Sequence, residues 1–136
     1  MSESRRRLVV IAAAIIGAIA VAAGAFAAHG LSSKVSPHML DVWNTAVRYQ
    51  MWHVLAMLIV ALTRPQSFEP RLIAAACIAW LLGIVLFSGS LYALVLSGIA
   101  LLGAVTPLGG IALITGWVLL ASAAWRAHIG PDDVSH

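Results

Sequence analysis

Apolar positions fall into long uninterrupted runs. Leu8 to Ala28 is free of charge for 21 residues, about 31 Å of helix at about 1.5 Å per residue, enough for a hydrocarbon core of about 30 Å. Leu72 to Leu96 forms a second such run. A third, about Leu108 to Trp125, is bounded by Trp117 and Trp125, which are expected to act as interfacial anchors. Ser97-Gly98 and Thr106-Pro107 mark the break between the last two, the threonine suited to an N-cap and the proline to a first helical turn. The stretch Val54 to Leu62 is too short to cross alone and recruits the polar residues before it. Ser36-Pro37 supplies a start and Thr63-Arg64-Pro65 a stop, predicting one helix from Pro37 to Leu62. Counting back about 20 residues from Leu62 puts a membrane edge near Trp43 and His53 close to the midplane. The pattern predicts one membrane domain over residues 1–136, an all-α integral membrane four-helix bundle with spans at about 8–28, 40–62, 72–96 and 108–125. Three arginines before the first run and Ala25-Phe26-Ala27 near its end also outline a secretory signal. The run is longer than the roughly 7–15 apolar residues of such a signal, which favours a span.

Composition agrees. The chain is 62% hydrophobic and 10% charged, where a soluble domain is about half apolar and a quarter charged, so a soluble globule is excluded. The single cysteine, Cys77, sits inside an apolar run and offers no disulfide framework, paired-cysteine metal site or redox pair. The net charge of +3 owes much to Arg5, Arg6 and Arg7, which in a membrane protein report orientation and imply no nucleic-acid partner. Arg5, Arg6, Arg7, Arg64, Arg71 and Arg126 fall on one side of a four-span arrangement, Lys34 and the shallow Arg48 on the other. Both termini are therefore expected on the cytoplasmic side.

Small residues recur on the spans. Ala13, Gly17, Ala20, Gly24 and Ala28 form a stripe on one face of the first, and Gly83 with Ser90 and Gly109 with Gly116 repeat the theme at seven-residue spacing. In lipid no hydrophobic drive brings helices together, so such stripes predict close backbone packing. On the second span Asp41, Asn44, Thr45, Arg48 and Trp52 fall within about a 100° sector, with Tyr49 and His53 on its edge and Gln50 opposite. Ionisable groups at membrane depth cost several kcal/mol, which predicts that this face looks into the bundle. Asp41 is the acidic residue on the half occupied by Arg48, but two turns separate them, so a direct pair is marginal. Snorkelling with carbonyl contacts accounts for Arg48 without a ligand; an anionic ligand or lipid phosphate is the functional reading. For His53, an interhelical hydrogen bond to Tyr92 or Ser90 stands against proton or ligand handling. His29, followed by Gly30, is expected to cap the first span.

Several chemistries lack their residues. His29, His38, His53 and Asp41 share one half of the protein, but no spacing is diagnostic of zinc and His53 lies deeper than the rest. Two axial histidines at haem depth are absent. Spans one, three and four carry no carboxylate for acid–base work, and no glycine-rich phosphate loop is present. No cofactor is predicted.

Four separated motifs carry a resemblance. They are Gly24-Ala25-Phe26-Ala27-Ala28-His29-Gly30-Leu31; Leu40 with Trp43-Asn44-Thr45-Ala46-Val47-Arg48-Tyr49-Gln50-Met51 and His53; Phe87-Ser88-Gly89-Ser90-Leu91-Tyr92; and Thr106-Pro107-Leu108-Gly109-Gly110 leading to Gly116-Trp117. In this order, over about Gly17 to Trp125, they resemble the YgdD-like small four-pass membrane proteins, domain of unknown function 423, related to eukaryotic transmembrane protein 256. The resemblance implies a four-helix protein of the bacterial cytoplasmic (inner) membrane, and supplies no activity, substrate or catalytic residue.

The leading expectation is a non-enzymatic membrane binding or interaction module, in contact with the lipid bilayer and associating with itself or with another membrane protein through small-residue faces. Its candidate ligand-binding residues line an outer-half pocket: His29, Asp41, Asn44, Arg48, Tyr49, His53, Ser90 and Tyr92. The alternatives are a small-solute or proton transporter using His53 and Arg48, which lacks the paired broken helices of many transporters, and an intramembrane enzyme using His53 and Tyr49.

Overall fold

A computed structural model describes residues 1–63 and 68–128. Arg64 and Pro65, which carry the expected stop of the second span and one orientation charge, lie outside the described residues. The described residues contain no strand. They form α1 (Glu3–Phe26), continued by a π-helical turn (Ala27–Leu31), then α2 (Pro37–Thr63), α3 (Pro70–Ser97), a 3-10 turn (Ala100–Ala104) and α4 (Thr106–His128). Four helices are long and apolar enough to cross a membrane.

Local chemistry sets the ends. Ser2 Oγ accepts from the Arg5 amide, and Ser36 Oγ from the Met39 amide at 3.3 Å, satisfying N–H groups that a first turn leaves free. Pro70 opens α3 behind Glu69, and Gly98 closes it in the left-handed conformation at φ 72°, its N–H returning to Leu94 O at 2.8 Å. Gly30 behaves differently from expectation. The helix does not end at His29 but widens by one residue per turn, Ser32 N bonding to Ala27 O at 3.1 Å. Gly30 carries no positive φ; instead the Phe26 ring lies over it where a side chain would stand.

The helices pack in chain order, α1 on α2, α2 on α3 and α3 on α4, the last contact being the most extensive. On the α3–α4 seam, Trp80 faces Gly116, Gly83 faces Leu113, Phe87 faces Gly109, and Ser90 meets Thr106 at 2.9 Å. The intervals run three, four, three in opposite directions along the two helices, the seven-residue repeat that keeps a seam facing its partner. At Gly109 the backbones approach so closely that a Cβ would collide with the Phe87 amide nitrogen. The α1–α2 seam uses the predicted small stripe, with Gly17 opposite Val54 and Gly24 opposite Val47. Its last members are Ala27 and Leu31, both buried, while Ala28 is exposed. The strict alternation of intervals from Ala13 onward leads to Ala27, and the π turn carries it to Leu31. Trp80, fully buried, lies in a core with Val54, Met57 and Leu113, and Ala13 from α1 joins it.

Gly109→Ala is expected to destabilise the protein by about 1–3 kcal/mol, because the backbone of Phe87 cannot yield as a side chain would. Gly89→Ala, with nothing within 4 Å of the added carbon, is expected to be neutral or to stabilise by up to about 1 kcal/mol. Unfolding by SDS in mixed micelles compares the two.

Candidate functional site

Neutral polar side chains tie the helices together inside the bundle. On α2, Trp43 and Gln50 stand seven residues apart, and each donates to a backbone carbonyl of α1 that is also seven residues from the other: Trp43 Nε1 to Ala23 O at 2.9 Å, Gln50 Nε2 to Ile16 O at 2.8 Å. Because Ile16 O only accepts, the amide nitrogen of Gln50 faces it, and its Oε1 accepts from Tyr92 Oη of α3 at 2.8 Å. Gln50, 3% exposed, thus links three helices. Ser88 of α3 donates to Ala46 O of α2 at 2.8 Å, and Trp43 packs on Tyr92 with ring centroids 4.5 Å apart. Polar groups in hydrocarbon find partners or do not stay there.

His53 is buried and its two ring nitrogens are both engaged. Trp117 Nε1 of α4 lies 3.0 Å from Nε2, and Tyr49 O lies 2.7 Å from Nδ1. An indole N–H only donates and a carbonyl only accepts, so the ring is neutral with its proton on Nδ1. A second proton, on Nε2, would confront the indole N–H. Trp80 completes the cluster edge-on to Trp117, centroids 5.0 Å apart. Among the described residues its Nε1 is the buried side-chain nitrogen without a partner.

The expected outer-half pocket is not formed by the eight residues predicted to line it. The sector with Asp41, Arg48 and Trp52 faces outward, and the opposite face, with Gln50, is buried. Arg48 Nη2 reaches Thr45 Oγ1 at 3.1 Å and Asp41 Oδ1 at 3.7 Å, the two charged side chains being 56% and 76% exposed. The pair thought marginal therefore forms, on the outside. Tyr49 stacks on Phe87 of α3 at 4.6 Å between centroids and reaches the surface beside Trp52. His29 is exposed on the π turn, and Asn44 is half-buried. Inside, His53 bonds Trp117 rather than Tyr92 or Ser90; Tyr92 is taken by Gln50, and Ser90 by Thr106 and by Phe87 O at 3.0 Å. Trp117, 46% exposed, is accordingly an interhelical donor.

Size explains the inversion. Val47 and Val54 seat against Gly24 and Gly17 of the small stripe, and Trp43 and Gln50, seven residues apart beside them, bond carbonyls of α1, which turns the sector of Arg48 outward. The signal for Gln50, which lies opposite the polar sector, was its seven-residue spacing from Trp43. At the opposite end, an apolar groove of about 460 Å³ runs between α2 and α4, lined by Ile59, Val60, Phe68 and Ala124 among others. Among the described residues no three His, Cys, Asp or Glu side chains gather as metal ligands would.

Four apolar helices, joined by neutral hydrogen bonds and packed on small residues, define a small multi-pass membrane protein. Residues 23–110 match the family described as Protein of unknown function (DUF423), and the chain belongs to this family. The match takes in α2 and α3 and stops before Trp117. The chain is 43% identical over 122 residues to a UPF0382 membrane protein of Staphylococcus aureus (strain bovine RF122 / ET3-1), covering 88% of this chain and 97% of that one. It is 43% identical over 120 residues to the UPF0382 membrane protein YwdK of Bacillus subtilis (strain 168), 87% and 96% of the two chains. A UPF0382 membrane protein of Staphylococcus saprophyticus is 40% identical over 122 residues, 88% and 98% of the two chains. None of these names denotes an enzyme. No solved structure gives a significant match.

A double-mutant cycle between Gln50→Leu and Tyr92→Phe is expected to give a coupling of about 0.6 kcal/mol, not above about 1.7, the range for polar pairs between membrane helices. A cycle between His53→Phe and Trp117→Phe is expected in the same range, both read from unfolding in mixed micelles.

Proposed function

We propose that this is a non-enzymatic interaction module of the cytoplasmic membrane, with both termini cytoplasmic, which binds a second membrane protein chain, its own copy or another, through the outward polar face of α2. The carrying observation is the position of the Arg48–Asp41 pair. Gly24 faces Val47, so Arg48 stands level with the uncharged run of α1, inside its far end, and yet points away from the bundle. Ionisable groups at such depth normally face protein or water. A partner offering hydrogen-bond acceptors would satisfy the guanidinium where lipid chains cannot. Against a transporter using His53 and Arg48 stands the separation of His53, inside, from Arg48, outside, and against proton handling or catalysis by His53 with Tyr49 stands the engagement of both ring nitrogens.

Native mass spectrometry after gentle extraction tests the reading. The wild type is expected to retain a second chain that Arg48→Gln loses, while the variant unfolds within about 1 kcal/mol of the wild type, as for other exposed ion pairs. An Arg48→Gln protein that unfolds much more easily and shows an unchanged mass spectrum would make the pair a structural element and overturn the proposal. Orientation has its own test: reporters fused at residue 34 and after the C-terminus are expected on opposite sides of the membrane, and both on one side would refute the four-span topology.

A further inference from the structure

The end of the bundle away from the termini carries two turns of opposite chemistry at one height. Trp43 of α2 packs on Tyr92 of α3; six residues beyond each lie Pro37 and Gly98, both about 9 Å further out at about 1.5 Å per residue. The α1–α2 turn at that level presents Ser32, Ser33 and Lys34, all exposed. The α3–α4 turn, Gly98-Ile99-Ala100-Leu101-Leu102-Gly103-Ala104-Val105, has no polar side chain. Leu101 is 76% exposed, Ile99 55%.

The backbone of this turn pairs several of its own groups. Leu102 N bonds to Ile99 O, Val105 N to Leu102 O and Leu108 N to Val105 O, each at 3.1 Å. Ser97 Oγ donates to Ala93 O and accepts from the Ile99 amide, while the hydroxyls of Ser90 and Thr106 bond each other. Backbone groups in hydrocarbon must pair within the protein, and these bonds meet part of that need; the α1–α2 turn is bonded internally as well, so the side chains are what distinguish the two turns. Its outward side chains continue into Leu96, Leu108 and Ile111, exposed on the flanking helices, with Ser97 between them, its hydroxyl taken up by Ala93 O and the Ile99 amide.

We propose that the 98–105 turn is a lipid-contact surface, inserted in the hydrocarbon of the bilayer, while the α1–α2 turn at the same height stands in water. The bilayer boundary then crosses the bundle obliquely, reaching further along α3 and α4 than along α1 and α2. The occupant is hydrocarbon, because the patch is an extension of the surface with which α3 and α4 already face lipid chains.

Nitroxide labels on Leu101→Cys and Ile99→Cys, with Ser33→Cys as water reference and Ile114→Cys as lipid reference, test this in vesicles at high lipid-to-protein ratio. Cys77 is buried, and labelling of the wild type controls for it. Expected is the behaviour of position 114 at both turn sites: broadening by oxygen, with loss of access to a water-soluble nickel complex. Collisions with the nickel complex like those at position 33 would overturn the proposal. So would loss of access to both reagents, which would mean that protein, and not lipid, covers the turn.

Discussion

The approach of α3 to α4 at Gly109 and Phe87 is the contact on which the remaining geometry rests. Lipid tails are as apolar as leucine, so these helices gain little by hiding side chains from their surroundings; they gain by dispersion contact at short range. A glycine against a backbone nitrogen brings the helices as close as sterics permit. That register sets Gly116 against Trp80 and turns the indole N–H of Trp117 onto His53. Through this bond and the shared core, α2 is held against the hairpin, and α1 is laid on α2 by the bonds from Trp43 and Gln50.

Charge and neutral polarity are separated. Interior positions hold amide, hydroxyl, indole and a neutral imidazole, each able to meet a carbonyl or another neutral group without carrying net charge out of water. Arginine has no neutral form to adopt there, and it stands outside with its carboxylate. The cost of a charge is thus kept from the packed interior, while the directional bonds that fix helix rotation are made by groups whose burial costs least when paired.

Much of this was legible in the chain. Run length announced four spans, Ser36-Pro37 and Gly98 announced ends, and the small residues announced where backbones meet. His53 stands opposite the middle of the first apolar run, as residue counting placed it. The rotation of α2 was not legible from polarity, since Asp41, Thr45 and Arg48 outnumber Gln50 on any wheel; it follows from the seating of Val47 and Val54 on Gly24 and Gly17 and from the bonds of Trp43 and Gln50 to α1 carbonyls. Trp117 was ambiguous for another reason. A tryptophan in an apolar run serves at an interface or as an interhelical donor, and only the register of α4 on α3 shows that this one meets His53. Ala27 in place of Ala28 follows from the regular intervals of the stripe, which the glycine after His29 obscured.

The hairpin of α3 and α4 bears on how the chain enters a membrane. Its turn carries no charge, its two helices share the most extensive contact in the molecule, and the hydroxyls of Ser90 and Thr106 are paired across it. Such a unit can pass from the insertion machinery into lipid as an already folded pair, with the crossing of α3 and the return of α4 a single event. The α1–α2 hairpin, whose turn carries Lys34, differs in holding a charge at its turn and in making its own tie. Assembly of this small protein then reduces to the docking of two hairpins, with Ser88 on Ala46, Tyr92 on Gln50 and Trp117 on His53 as the bonds that close between them.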